Sequence, residues 1–520
     1  MTHRSMLLAA LAASGAALAL VVATSEPATS ETLAPPAAHA AQQAAADLQQ
    51  EYRQRRQALA ARLPDGVLLA LGAPEPRHDY LPFFQEPSFY YLTGLREPGA
   101  ALVMVKRGGA VTATMFVQPR IPAQEVWSGA RLGAEAVARL MGTAARPVAE
   151  LRSALDSLLR IGLPLHVVGD AGESPDDGAD RLLTADEQFV ESLRRRHRGL
   201  RVRVVNDVVS MMRGTKSATE LAFIRQAVDI TVRAHNEVLR ALEPGMNEFE
   251  LQALIEYTFR RNGAERPAFA SIVGSGPNST TLHYNANDRF IEPGDLVVMD
   301  VGASYKGYAA DVTRTLPASG TFTTEQRAIY QLVRDAHAAA ERQAKIGARA
   351  TLMNDSASAT LAAGLARLGL IESPAARYDC EAGGARRECP QLALYYMHGL
   401  GHGIGLEVHD PEQYYFTHTI RPGSAFTIEP GVYVRANVLD VLPDTPRNRA
   451  LAARLRPAVE RYKNVGVRIE DDYVVTERGV EWISRAPREI AEIEQLMRGP
   501  YAGPAARDRA LVETYRRAVP

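Results

Sequence analysis

Four carboxylates and one imidazole stand in the second half of this chain at positions where a charge needs a partner: Asp300, Asp311, Glu429, Glu470 and His402. Each carboxylate lies within or at the end of an apolar, strand-like run, where burying an uncompensated charge is expensive. The stretches Asp295-Leu-Val-Val-Met-Asp300-Val-Gly and Tyr308-Ala-Ala-Asp311-Val-Thr-Arg-Thr-Leu316 read as two strands returning through Tyr305-Lys306-Gly307. A turn centred on Tyr305 and Lys306 predicts that Asp300 and Asp311 face each other directly, with Cβ atoms about 4.5–5.5 Å apart. Like charges at that separation would push the hairpin apart. Divalent cations, about 3.5–4 Å apart in two-metal hydrolases, would turn the repulsion into coordination. The alternative is a surface hairpin with two solvated carboxylates.

The imidazole comes from Met397-His398-Gly-Leu-Gly-His402-Gly-Ile-Gly-Leu-Glu-Val-His409-Asp410. His398 and His402 have helical i, i+4 spacing, but Gly399, Gly401, Gly403 and Gly405 disfavour a helix. The segment reads as a loop or strand, and a His-Glu-x-x-His zinc helix is absent. Glu429 ends the run Ala425-Phe-Thr-Ile, and Glu470 ends Val465-Gly-Val-Arg-Ile, where a carboxylate can face a cleft. Four carboxylates balance the charge of two divalent cations. Oxygen-rich ligation with one imidazole suits manganese, and also cobalt, iron or zinc. Such a pair would lower the pKa of a shared water toward about 7 and polarise a scissile carbonyl, giving a hydrolase a nucleophile without serine or cysteine.

In order and context these residues resemble those of aminopeptidase P and its relatives the prolidases, in metallopeptidase family M24. The matching contexts are Met-Asp300-Val-Gly, Tyr-Lys-Gly-Tyr-Ala-Ala-Asp311-Val-Thr-Arg-Thr, His398-Gly-Leu-Gly-His402, Thr-Ile-Glu429-Pro-Gly and Val-Arg468-Ile-Glu470-Asp, within a likeness covering roughly residues 50 to 490. The resemblance implies an α/β N-terminal domain followed by an α+β pita-bread catalytic domain with pseudo-twofold symmetry. It implies two divalent metal ions, usually Mn2+, with Zn2+, Co2+ or Fe2+ as alternatives, and hydrolysis of the Xaa-Pro bond at the N-terminus of peptides.

Roles for individual residues follow from the same resemblance. Asp300, Asp311, His402, Glu429 and Glu470 would ligate the metals, with Glu429 also acting as base and proton shuttle. His409 matches a histidine that contacts substrate and supports the tetrahedral intermediate, and His283 and His398 match two further active-site histidines. Arg468 would orient a ligand carboxylate, and Tyr433 matches an active-site tyrosine. Trp127 matches a tryptophan placed near a neighbouring subunit's site, with a buried anchor as the other reading. A homo-oligomer, dimer or tetramer, is implied too.

The chain also departs from the family. Tyr414-Tyr-Phe-Thr-His418 occupies a stretch where many members carry arginines that meet substrate. Without them the terminal carboxylate of a dipeptide lacks a partner, which favours an aminopeptidase over an Xaa-Pro dipeptidase. Arg435 to Lys463 is an extra segment, a surface excursion or an oligomer contact, and Cys380 and Cys389 lie in a polar insertion just before the histidine motif. A metal-free creatinase-like or binding protein would require a broken ligand set, and all five ligands are intact.

With 59 basic and 60 acidic residues among 520, net charge −1, nothing points to nucleic acid. Residues 1–25 read as a signal peptide, a basic start followed by the apolar run Met6 to Ala23, with cleavage possible as late as Ala40. The expectation is an exported protein, periplasmic or secreted, without stable membrane insertion; an uncleaved anchor is the alternative. Export favours a Cys380–Cys389 disulfide over free thiols. Residues 26–46 then read as a disordered linker, 47–205 as the N-terminal domain, 213–490 as the catalytic domain and 491–520 as a tail. Within the catalytic domain Ser217-Ala-Thr-Glu220 is a capping box, Asn247-Glu-Phe-Glu250 starts a second helix and Thr323-Thr-Glu-Gln326 a third, in two halves of helix pair plus strands.

Overall fold

In the computed structural model, which describes residues 35–78, 80–170, 183–382, 385–505 and 510, alternation along the early strands serves two cores at once. The N-terminal sheet is mixed, in the order Ala144–Pro147, Ala110–Val117, Ala101–Arg107, Gly66–Leu71, Leu165–Val168, Val202–Val204. On one face Val67, Leu69, Val103 and Val167 pack against Leu155 and Leu193 of the helices Leu151–Leu159 and Ala185–Arg196. On the other, Leu68, Ala70 and Leu102 join Leu59, Phe89 and Leu92 in a core that continues into the catalytic domain.

Two expected boundaries are corrected. The first helix, Pro35–Arg62, begins inside the segment read as a linker. Residues 37–46 are mostly alanine, the strongest helix former, and that propensity outweighs the low-complexity reading. The catalytic domain also runs past 490, because the helix Ile490–Met497 buries Ile493, while Glu494 accepts from the Phe322 N–H at 3.0 Å and pairs with Arg327. The expected signal segment lies outside the described residues. Among the described residues no helix is long and apolar enough to cross a membrane.

The catalytic domain repeats one plan. The helices Ala218–Ala241 and Glu248–Arg261 pack on the antiparallel strands Ile272–Ser275, Leu296–Val301 and Val312–Pro317. In the second half, Thr324–Glu341 and Thr351–Arg367 accompany the antiparallel strands Ala425–Ile428, Asp471–Thr476 and Gly479–Trp482. Reciprocal caps at Ser217 and Glu220, Asn247 and Glu250, and Thr323 and Gln326 satisfy backbone N–H groups that open three of these helices. Arg314, wholly buried, stitches the halves together by donating to the Glu470 carbonyl at 2.7 Å and the Pro487 carbonyl at 2.9 Å.

Two of the three segments that depart from the resemblance fold on one another. Strands Arg377–Ala382 and Ala385–Pro390 form a hairpin closed by the expected Cys380–Cys389 disulfide. The Arg435 to Lys463 segment supplies the helix Pro446–Tyr462, whose start docks on that hairpin: the Thr445 hydroxyl donates to Asp379 at 2.6 Å, and Asn448 Nδ2 to the Asp379 carbonyl at 2.8 Å. The N-terminal domain is pinned beside the histidine loop by buried Arg213, which donates to Ser88 Oγ at 3.1 Å and pairs with Glu407 at 2.6 Å and with Asp410.

Candidate metal centre

The first two carboxylates come from a hairpin whose register differs from the expected one. The turn is centred on Lys306 and Gly307, with φ of 53° and 84°, rather than on Tyr305 and Lys306. Two consecutive positive φ values define a turn whose twist matches that of the strands, and the glycine adopts one at no steric cost. Asp300 therefore pairs with Thr313, and Asp311 stands diagonally from it, not opposite. A slip of two residues keeps both carboxylates on one face. Position 302, beside Asp311, has to be glycine, since a Cβ there would lie 1.7 Å from the Ala310 carbonyl oxygen.

The second half brings its ligands to that face. Asp311, His402 and Glu470 each offer a ligand atom within 4.8 Å of the others. His402 Nε2 lies 3.4 Å from Asp311 Oδ2, 3.4 Å from Glu429 Oε1 and 3.9 Å from Glu470 Oε1. Nδ1 of His402 contacts the Gly403 carbonyl at 3.1 Å, which places its proton there and leaves Nε2 as a lone-pair donor toward the carboxylates. Glu429 is set by its own N–H, which donates to the Leu400 carbonyl at 2.7 Å, and Glu470 Oε2 accepts from Thr313 Oγ1 at 2.6 Å. Asp300 is held through Oδ2 by Arg468.

Three further oxygens of the set have no hydrogen-bond partner among the described residues. Asp300 Oδ1, Asp311 Oδ1 and Glu470 Oε1 are buried and accept no hydrogen bond. Burial pushes Asp311 and Glu470 well above the usual carboxylate range, and the neighbouring carboxylates push them further. Burial raises Glu429 to about 8 against the pull of Arg468. The hydrogen bonds from Thr313 to Glu470 and from Thr427 to Glu429 do not offset burial; divalent cations would, and the donor set of carboxylate oxygens and one imidazole suits them.

Around the ligands a directed hydrogen-bond chain fixes the histidine expected at position 398. Arg468 Nη1 donates to the Tyr433 hydroxyl at 2.9 Å, and that hydroxyl lies 2.9 Å from His398 Nε2. His398 Nδ1 lies 2.8 Å from the Gly399 carbonyl, so Nδ1 carries the proton and Nε2 accepts from tyrosine. Burial, then Arg468, pushes this histidine down to about 4, so it is neutral. His409 packs at a tilt against His402, ring centroids 4.1 Å apart, and His283 is close enough that its charge bears on both His398 and His409. His409 and His283 are exposed, on the open side of the ligand set.

Trp127, matched to a residue near a neighbouring subunit's site, stands apart from the centre of its own chain. It stands 77% exposed in the short helix Glu125–Ser128 and joins none of the side chains of the centre, which rules out the buried anchor. The sequence reading missed three supporting groups. Thr313 holds Glu470, Thr427 Oγ1 accepts from the His402 N–H at 3.0 Å, and Asp472 accepts from the Asp311 N–H at 3.0 Å. Alternation along Glu470-Asp-Asp472 and Asp311-Val-Thr313 was the available signal, since both sets share a face with a ligand.

Comparison with known proteins agrees with this geometry. A family model described as metallopeptidase family M24 matches residues 222–477, and one for the aminopeptidase P N-terminal domain matches residues 52–164. The Xaa-Pro aminopeptidase of Escherichia coli is 33% identical over 469 residues, covering 86% of this chain and 98% of that protein. That of Haemophilus influenzae is 33% identical over 458 residues, covering 86% and 97%. An E. coli aminopeptidase P variant solved in complex with substrate superposes with a TM-score of 0.69 at 31% identity, covering 86% and 98% of the two chains. With its ligand set gathered and both family domains in place, the chain belongs to metallopeptidase family M24 and carries the N-terminal domain of the aminopeptidases P.

Proposed function

We propose that this protein is an Xaa-Pro aminopeptidase that releases the residue preceding a proline from peptide N-termini, using two divalent metal ions, with Mn2+ as the native metal. The observation that carries the reading is the convergence of Asp311, Glu429 and Glu470 on His402 Nε2, with unpartnered buried oxygens on Asp300, Asp311 and Glu470 and with His409 packed beside His402. Asp300, Asp311, His402, Glu429 and Glu470 would hold the ions, which supply Lewis acidity and water activation when bound.

The chain's own residues divide the remaining work. The Glu429 side chain, 16% exposed against 6% for Asp311 and 2% for Glu470, is open enough to take a proton from the attacking water and return it to the leaving proline nitrogen. His409 and His283 face the substrate, where a ring N–H can donate to the carbonyl oxygen as it gains charge. The Arg468–Tyr433–His398 chain keeps His398 neutral with Nδ1 protonated, which leaves its ring a fixed wall of the substrate site. Arg468 also fixes the carboxylate plane of Asp300.

Relatives named Xaa-Pro aminopeptidase support this substrate class, as does the lack of arginines in Tyr414 to His418 against a dipeptidase. The basic start and apolar run of residues 1–25 support an exported enzyme, and the exposed Trp127 supports a homo-oligomer that covers it. The test is purified protein supplied with Mn2+ and offered Ala-Pro-peptides beside Ala-Ala-peptides. Release of alanine from the first alone, with two metals bound per chain, is expected; no release, or less than one metal per chain under replete conditions, would end the reading.

A further inference from the structure

The geometry points to a subsite for the part of the peptide downstream of proline, in the cleft between the two domains, that selects a negatively charged residue or terminus; this rests on the peptidase reading above. The cleft encloses about 700 Å3, larger than a single side chain occupies, and has the N-terminal domain's Phe83, Phe84 and Tyr90 on one wall. The opposite wall belongs to the catalytic domain, and two of its strands of chain run straight into the centre. Val408 precedes His409, and Ala268 precedes Phe269, whose ring carbon lies 3.0 Å from where a side chain on Gly302 would project, between Asp300 and Asp311. A peptide leaving the metal centre past His409 therefore meets this cleft.

The charges of the cleft are unevenly matched. Glu265 pairs with Arg96 and accepts from the Gly307 N–H at 3.1 Å, and Glu407 pairs with Arg213 at 2.6 Å. Both acidic groups are thus neutralised within the protein. Arg266 lies over the Phe84 ring, its guanidinium carbon 4.1 Å from the centroid, and among the described residues donates only to the carbonyls of Pro267 and Ala268. Neither Arg266 nor Arg260 forms an ion pair among the described residues. A half-buried guanidinium over an aromatic ring, with the exposed Arg260 lining the same cleft, matches a carboxylate carried by an otherwise apolar peptide.

The test compares kcat/KM for Ala-Pro-Ala amide with Ala-Pro-Ala-Phe-Glu as the free acid and as the fully amidated, uncharged peptide with glutamine in place of glutamate. The parent is expected to favour the acid over its neutral counterpart by about fivefold, the size of one half-exposed charge pair. Combining Arg260→Gln with Arg266→Gln should abolish that preference through KM and leave the tripeptide rate unchanged, while Arg266→Lys restores part of it. Equal rates for acid and neutral peptides in the parent, or an equal loss on all three substrates in the variant, would overturn the subsite. Fluorescence anisotropy on labelled pentapeptide separates the two readings. Arginine-dependent binding without hydrolysis would support the cleft and reject the reaction, whereas hydrolysis with no arginine dependence would do the reverse.

Discussion

Glu470 and Asp471 are consecutive, both buried, and opposite in character. Asp471 meets Arg314 at 2.6 Å, Arg488 at 2.5 Å, the Ser484 hydroxyl at 2.6 Å and His337 at 3.3 Å. Burial alone would raise it, but Arg314 and its companions outweigh burial and hold it below the usual carboxylate range. Glu470 points the other way, to Asp311, Glu429 and an imidazole, and burial with its acidic neighbours drives it well up. A buried carboxylate wrapped in guanidinium groups is finished within the protein. One whose free oxygen faces other carboxylates is waiting for a cation, and the side of the strand it occupies makes that difference.

The comparison can be broken most forcefully on the structural side. Arg314→Met leaves Asp471 underpaired and cuts five hydrogen bonds to backbone carbonyls, so denaturant unfolding should show a loss on the order of 3–5 kcal/mol, with metal content of the folded fraction unchanged. Asp311→Asn and Glu470→Gln should do the opposite. Metal occupancy and activity fall together by at least about a hundredfold, near 2.7 kcal/mol of transition-state stabilisation, while the metal-free protein is as stable as the parent or more so. If either variant unfolds before it loses metal, the distinction drawn between Glu470 and Asp471 is wrong.

A smaller effect is expected at His409→Ala, which should keep the parent's metal content and lower kcat, by roughly tenfold to a hundredfold, or about 1.4–2.7 kcal/mol. Metal analysis beside steady-state kinetics decides this, and metal loss matching that of Asp311→Asn would remove His409 from its place facing the substrate. Glu412 offers an intermediate case. It accepts from the Ala425 N–H at 2.9 Å and has Lys216 at 3.9 Å, yet burial wins and raises it from 4.5 to about 7. A carboxyl raised in the folded state contributes stability that is complete below pH 4.5 and is lost as pH rises through about 7. Between pH 6 and 8 this amounts to about 1 kcal/mol, and Glu412→Gln should flatten that part of the curve in paired thermal melts.

Most of the ligand set was legible because chemistry forced it. Carboxylates inside apolar strands carry their own warning, and capping boxes mark helix starts with local signals. What escaped depended on geometry that spacing leaves open. The Asp300–Asp311 hairpin shifted by two residues because Lys306, not only Gly307, adopts positive φ, a conformation non-glycine residues seldom take. Asp472 and Thr313 looked like ordinary strand residues, and their part emerges only when strands more than a hundred residues apart come together. The alanine-rich stretch before Asp47 was judged by composition when helix propensity was the better guide. Trp127 was matched to a residue near a neighbouring subunit's site, and its 77% exposure in one chain sets aside only the buried-anchor alternative.

The apolar interior that runs without a break from Leu59, Phe89 and Leu92 into Val297 and Ile428 has a practical result. The N-terminal portion is not a detachable module. Trimming the chain to its peptidase half would bare a broad oily surface and strand Arg213 without Ser88, so that half expressed alone should clump or be degraded before its catalysis could be measured. Attempts to graft a different N-terminal domain onto this enzyme would have to rebuild that seam residue by residue.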